Sequence, residues 1–239
     1  MEHLRVVGWP LNEYSDVIPG VAVVMIRCLD SHTHHPAPQP EGIISATMDD
    51  FNPVEGQLYS LGIHPWVAYN EISHDQWVEF ESLCSLPSVV AIGECGIDKL
   101  KGGLLFKQML VFNRQIEISE RLRKPLIIHD VKAHDVIVGL KRDLNPSQKW
   151  MVHGMRGKPT VAKMLTDAGI YISFGEYFNP GTLKATPLDM ILAETDESSL
   201  SIEDILNNIS LQLDRDVTPI IAENTKTFFF DEPLFHKEK

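Results

Sequence analysis

Seven side chains able to ligate a metal ion, His32, His34, His64, Glu94, His129, His153 and Asp196, each stand at or just beyond the end of a short apolar run. Neutral imidazole nitrogen suits zinc, manganese or iron, and carboxylates add charge and can bridge two ions. His32 and His34 alternate at period two. In an extended chain both therefore point to one side and can serve one ion together. A lone histidine at a strand end is more often a hydrogen-bonded loop residue, and a His-x-His pair alone is a weak signal. The weight lies in the joint pattern, which extends from residue 32 to residue 196 and recurs after nearly every apolar run.

The runs that must position these residues are Val21–Leu29, Gly42–Met48, Tyr59–Ile63, Val89–Ile92, Leu126–Ile128, Trp150–Val152, Ile170–Phe174 and Met190–Ala193, which read as strands. Between most of them lie amphipathic segments: Gln76–Leu86, Leu104–Leu122, Ala133–Leu144, Lys158–Ala168 and Ile202–Leu213. Pro87, Pro125, Pro146 and Gly169 punctuate the alternation. A βαβα rhythm gives a parallel sheet covered by helices, either open and doubly wound or closed as a barrel. Closure as a (β/α)₈ TIM-like barrel, α/β in class, brings every strand C-terminus to one mouth, where all seven residues would meet. The length of 239 residues fits one such barrel as a single domain, with residues 1–20 an atypical leader and Pro36–Pro40 an irregular loop.

Glu94 lies between Gly93 and Gly96, which would let backbone or ligand approach closely. A carboxylate in such a buried strand needs a cation, whether a metal or a lysine such as Lys99 or Lys101. His134, near the start of a helix, fits a capping or substrate-contacting role as well as a solvated one, whereas His3, His35, His74 and His236 read as ordinary surface residues. Cys28, Cys84 and Cys95 form no CxxC spacing and are expected to be reduced core residues.

Against 21 Lys plus Arg the chain carries 33 Asp plus Glu, a formal charge of −12. A protein that coats duplex DNA by long-range attraction is thereby disfavoured. An enzyme that draws one nucleic-acid end into a pocket is not, because bound divalent ions put positive charge where the phosphate sits. Hydrophobic residues at 44% and charged residues at 23% describe an ordinary globular protein. No apolar stretch reaches the roughly 20 residues of a membrane span, so the expected location is cytoplasmic, with no membrane partner and no obligate protein partner.

Three segments, Asp30-Ser31-His32-Thr33-His34, Leu61-Gly62-Ile63-His64-Pro65 and Ile92-Gly93-Glu94-Cys95-Gly96-Ile97-Asp98, together resemble the TatD-related metal-dependent deoxyribonucleases. Gln108, Phe112 and Gln115 continue the likeness, followed by Lys124-Pro125-Leu126-Ile127-Ile128-His129, His153-Gly154-Met155-Arg156-Gly157, Ser173-Phe174-Gly175, Glu194-Thr195-Asp196, and Asn224 with Phe228. The resemblance spans about residues 30–230 and implies an amidohydrolase-like barrel that hydrolyses DNA phosphodiesters, on single strands or ends. It places His32, His34 and Asp196 on one divalent ion, His129 and His153 on a second, and Glu94 between them, with Glu94 and Asp196 as the catalytic pair. Zinc, magnesium, manganese, iron and nickel all suit that set. His64 would face the substrate phosphate, and Asp196 could accept the proton of the attacking water.

Some positions depart from the family pattern. Val131 stands where an arginine is usual two residues beyond His129, and Glu197 and Ser198 follow Asp196 in place of a proline. Arg156 or Lys132 would have to supply the missing cation. These departures bear on substrate more than on metal, so two other readings stay open. One is a barrel hydrolase of a small ester, amide or phosphate, and the other is a catalytically silent barrel that only binds.

Overall fold

In the computed structural model, which describes residues 28–36 and 42–230, the apolar runs become eight parallel strands. They are β1 (Asp30–Thr33), β2 (Gly42–Ala46), β3 (Leu58–Leu61), β4 (Val89–Asp98), β5 (Leu126–Val131), β6 (Trp150–Val152), β7 (Ile170–Phe174) and β8 (Ile191–Ala193). Each pairs with its sequence neighbours in unbroken order. The seam between the two ends is a bridge between Thr33 and Asp196, where the His34 N–H donates to the Asp196 carbonyl and the Asp196 N–H to the His32 carbonyl, both at 3.0 Å. The sheet is thus a nearly closed TIM-like barrel. Its closure runs through the backbone of three residues singled out for chemistry.

Helices α1 (His74–Cys84), α2 (Leu105–Leu122), α3 (His134–Leu144), α4 (Pro159–Asp167), α5 (Pro180–Ala185), α6 (Ile202–Leu213) and α7 (Thr218–Phe229) cover it. Their ends follow local chemistry. Ser73 with Gln76 and Ser201 with Asp204 form capping boxes that open α1 and α6. Proline in the first turn starts α4, α5 and α7, where its missing N–H costs nothing.

Two apolar sets alternate along the strands. Leu126, Ile128, Trp150, Val152, Ile170 and Ile172 pack against the helices. The smaller set, Ile43, Ala91, Ile127, Met151 and Leu192, fills the barrel interior, joined by Phe228 and Phe229 of α7. Cys28, Cys84 and Cys95 are buried and unpaired, as expected of core thiols.

The structure corrects several expected bounds. Of the strand expected over Val21–Leu29 only Cys28 and Leu29 are described, and they precede β1, which contains His32; residues 21–27 fall outside the described residues, as do the 1–20 leader, residues 37–41, His3 and His236. Likewise β4 runs on to Asp98 and β5 to Val131, placing Glu94 and His129 within strands. Helices α5 and α7 lie where the amphipathic pattern predicts none.

Gly93 is required by close approach. Its φ is 155°, and a Cβ there would stand 2.6 Å from the Ile127 carbonyl oxygen. Backbone cannot yield as a flexible side chain does. Gly93→Ala is expected to destabilise the fold by on the order of 2–3 kcal/mol. A urea midpoint equal to that of the parent chain would refute this.

Candidate metal centre

The site is assembled by strand periodicity. On β5 the interior residue Ile127 is followed two positions later by His129, and beyond β6 the interior residue Met151 is followed by His153. On β1 the interior line runs from Cys28 through Asp30 to His32, which is fully buried. Past β8 it runs from Leu192 to Glu194 and Asp196. Along β5, β6 and β8 the interior is therefore apolar below and polar at the mouth.

On β4 a strict alternation from Ala91 would turn Cys95 inward and Glu94 outward. The ladder avoids this. Ile92 pairs with Leu126 but Cys95 pairs with Ile128, so β4 spends one more residue than β5 over the same rise. The bulge sends Cys95 to the helix-facing core and Glu94 into the mouth. Neither expected lysine partner reaches it, since Lys99 pairs with Asp135 at 2.8 Å and Lys101 lies over the Trp66 ring.

Glu94 is the hub. Its Oε1 lies 2.6 Å from His129 Nδ1, 2.7 Å from His153 Nε2 and 3.1 Å from His64 Nε2. Its Oε2 lies 3.5 Å from His34 Nε2 and 3.6 Å from His32 Nε2. Asp196 Oδ1 faces the same two rings at 3.7 Å and 3.8 Å. All six expected ligands thus share one mouth, and His64 stands beside them, its Nε2 next to Glu94. Three overlapping donor groups emerge: His32 with His34 and Glu94; His32 with His153 and Asp196; and His64 with Glu94 and His129.

A divalent ion fits these donors. Neither ring nitrogen of His32 has a hydrogen-bond partner although the residue is wholly buried. Leaving such groups unsatisfied is costly unless something else meets them. The gaps of 3.5–3.8 Å on the Oε2 side are too long for hydrogen bonds. They are close to the separation of about 3.3 Å expected of two donors each roughly 2.0–2.1 Å from one tetrahedral ion.

Electrostatics tie the set together. Burial works to raise the Glu94 carboxyl, but the charge of His153, hydrogen bonds from His129 and His153 and the nearby His32 ring outweigh it, holding Glu94 well below the usual carboxylate range. Burial opposes a proton on His153, yet Glu94, with Glu194 behind, raises that ring well above the ordinary histidine value. His34 is raised by its contact with Glu94 against an opposing effect of burial.

Around the donors lies a supporting shell that the spacing argument did not assign. Glu194 is buried, accepts from the Gly154 N–H at 2.5 Å and stands 3.7 Å from His153 Nδ1, so it faces that ring from the side opposite Glu94. Asp30 accepts from the Thr195 hydroxyl at 2.6 Å and the Thr195 N–H at 3.0 Å, tying β1 to the chain after β8. Burial pushes its carboxyl up to about 7, against the lowering effect of these bonds. Asp98 accepts from the Trp66 indole at 2.7 Å and lies 3.4 Å from His129 Nε2. The period-two relation of Glu194 to Asp196, the same as that of His32 to His34, was the signal available for Glu194. Trp66 offered none beyond its place after His64-Pro65.

Buried amides of α2 fix the loops. Gln115 accepts from the Ile63 N–H at 2.8 Å and donates to its carbonyl at 3.0 Å, and Gln108 makes the same pair of bonds with Asp98 at 2.8 Å and 3.0 Å. His64 and Asp98 are thereby held from one helix. Of the expected phosphate contacts, Arg156 lies 5.1 Å over the Tyr177 ring and lines, with Asp196, Glu194 and Glu176, a cleft of about 340 Å³. Lys132 is exposed, with φ of 57°, in the turn after β5. His134 opens α3 and meets Asp130 at 2.5 Å.

The family model described as TatD related DNase matches residues 44–202, more than half of the chain. The chain belongs to that family. Among curated relatives, an uncharacterized metal-dependent hydrolase of Buchnera aphidicola (subspecies Baizongia pistaciae) is 32% identical, the match covering 60% of this chain and 57% of the relative. The deoxyribonuclease Tat-D of Schizosaccharomyces pombe is 26% identical over 57% of this chain and 50% of its own length. The 3'-5' ssDNA/RNA exonuclease TatD of Edwardsiella piscicida is 26% identical over 61% and 60%. The chain thus spans between 50% and 60% of the length of these curated relatives. Among solved structures, a TatD homologue from Escherichia coli superposes with a TM-score of 0.70 at 19% identity, covering 86% of this chain and 98% of that one, which shows the fold. Among the described residues of this TatD member no helix is long and apolar enough to cross a membrane.

Proposed function

We propose that the chain is a divalent-metal-dependent nuclease that hydrolyses DNA phosphodiesters, with two ions held by His32, His34, Glu94, His129, His153 and Asp196. The observation that carries this reading is Glu94. One buried carboxylate presents one oxygen to His129 and His153 and the other to His32 and His34, the division a bridging ligand needs. Bound divalent ions supply an activated water and neutralise charge on the phosphoryl oxygens.

The remaining work falls to side chains. Asp196 takes the water's proton in this reading, which its position in the cleft lining supports. Glu194 and Glu94 flank His153, and Asp30 fixes the seam that sets His32 against Asp196. Arg156 is the cation on the cleft wall; Lys132 is the other candidate phosphate contact, on the turn after Val131. A net charge of −12 favours an end or a single strand drawn into the mouth over a duplex held by long-range attraction.

A second reading has support in the cleft of about 340 Å³, where Glu176, Glu194 and Asp196 outnumber the one cation, Arg156, and in Val131, which stands where the resemblance expects an arginine. A small ester, amide or phosphate would also fit there. The test is digestion of labelled single-stranded, duplex and recessed-end DNA, beside a panel of small esters and phosphate monoesters, across added divalent ions. Cleavage of DNA that chelator stops and one ion restores is the expected result. Turnover of a small substrate with intact DNA would overturn the nuclease reading, and turnover of nothing would leave a silent barrel.

A further inference from the structure

We propose that Trp66 is the platform on which a base of the bound single strand stacks, setting the register of the strand over the metal centre. This rests on the nuclease reading above. Trp66 follows His64 by two residues in the loop after β3 and is 42% exposed. Its ring centroid lies 4.7 Å from that of His64 and 5.8 Å from that of His129, at 80° and 78°. These near-perpendicular contacts seat the indole against two candidate ligands without a parallel stack on its face.

A single exposed aromatic needs no explanation on its own. Trp66 is distinguished by what holds it. The indole N–H donates at 2.7 Å to Asp98, a carboxylate only 3% exposed. The other Asp98 oxygen accepts from the N–H groups of Leu100 at 2.7 Å and Lys101 at 2.8 Å. An exposed ring is thus fixed through a buried, fully engaged acid that also faces His129. An immobile platform loses little freedom when a ligand arrives.

What covers the ring is removable. Lys101 Nζ stands 4.0 Å from the centroid, on an exposed side chain of the loop between β4 and α2. The group over this face of the indole is therefore an exposed, flexible cation and not packed core. A base has its own π-face and can take that place when the flexible lysine stem swings aside. Stacking also answers the charge problem. With a formal charge of −12, affinity for a polyanion must come largely from contacts that do not depend on net attraction, and stacking on an aromatic side chain is sequence-tolerant in the way a nuclease requires.

The experiment is equilibrium binding of the metal-loaded protein to single-stranded DNA with cleavage-resistant phosphorothioate linkages, read by fluorescence anisotropy. The DNA set includes strands carrying one abasic sugar at each position from the end. Trp66→Ala is expected to weaken the intact strand on the order of tenfold to a hundredfold. At one abasic position the parent protein should lose the same factor and Trp66→Ala should lose nothing further, the signature of a direct pair. Trp66→Phe, which keeps a ring but not the bond to Asp98, should recover most of the affinity, and Tyr69→Ala, at an exposed aromatic away from the ligands, should bind as the parent does. The proposal is overturned if Trp66→Ala and the abasic losses multiply at every position, if Trp66→Phe is as weak as Trp66→Ala, or if neither variant weakens binding. Parent protein that neither binds nor cuts any strand overturns the nuclease reading and this inference with it, whereas parent protein that cuts while both Trp66 variants match it overturns the platform alone.

Discussion

Glu94→Gln is expected to lower hydrolysis on the order of 10³-fold or more and to strip most of the bound metal, while the barrel still folds. Glutamine keeps the shape and fills the same space, so the bulge in β4 and the packing of Cys95 are undisturbed. What it removes is the negative charge between His129 and His153 on one side and His32 and His34 on the other. An amide offers one oxygen and one NH₂ in place of two acceptor oxygens, so one of the two histidine sets loses its partner. Metal content by elemental analysis and rate on a labelled oligonucleotide should fall together, with the circular dichroism of the parent retained. Full metal content and a rate within twofold of the parent would show that Glu94 does not join the two halves.

The strands and helices were legible where hydrophobic periodicity alone decides them. Trp150–Val152, Ile170–Phe174 and Ile202–Leu213 have the same bounds in sequence and structure. Errors cluster at the mouth. An apolar run reports only the part of a strand that meets other apolar groups, yet β1, β4 and β5 continue through His32, Glu94 and His129, where the interior turns polar. Apolar runs therefore place these residues just past strands that contain them. The inward turn of Glu94 depends on one extra residue in β4 relative to β5, a property of two strands at once that no single segment displays.

Helix α5 has six residues, too few for a period to register, and α7 carries a run of Phe whose side chains at 228 and 229 serve the barrel interior in place of the outer sheet. The co-location of seven donors was legible because a parallel barrel sends every strand end to one face. The supporting acids Asp30, Asp98 and Glu194 were not singled out by role, since their partners, Thr195, Trp66 and Gly154, are set by tertiary approach.

Asp196→Asn separates catalysis from assembly. Asp196 has φ of 53°, a left-handed conformation that asparagine tolerates better than any other side chain able to replace it isosterically. Its bonds across the barrel seam, to the His32 carbonyl and from the His34 N–H, are made by backbone and survive the change. Among the described residues the carboxylate comes within 4.0 Å of the His32 and His34 rings alone, at 3.8 Å and 3.7 Å, with His153 farther off, whereas Glu94 reaches five imidazoles. Metal loss should accordingly be smaller than in Glu94→Gln and confined to the ion served by those two rings. An amide cannot accept a proton from water, so the single-turnover rate should fall about 10²–10⁴-fold, the usual range for a positioned general base. Oligonucleotide affinity should stay near that of the parent, because the neutral amide repels phosphate less than the acid does. A rate within fivefold of the parent at full metal occupancy would move the proton-accepting role away from Asp196. Glu194 would not inherit it, being wholly buried and already committed to Gly154 and His153.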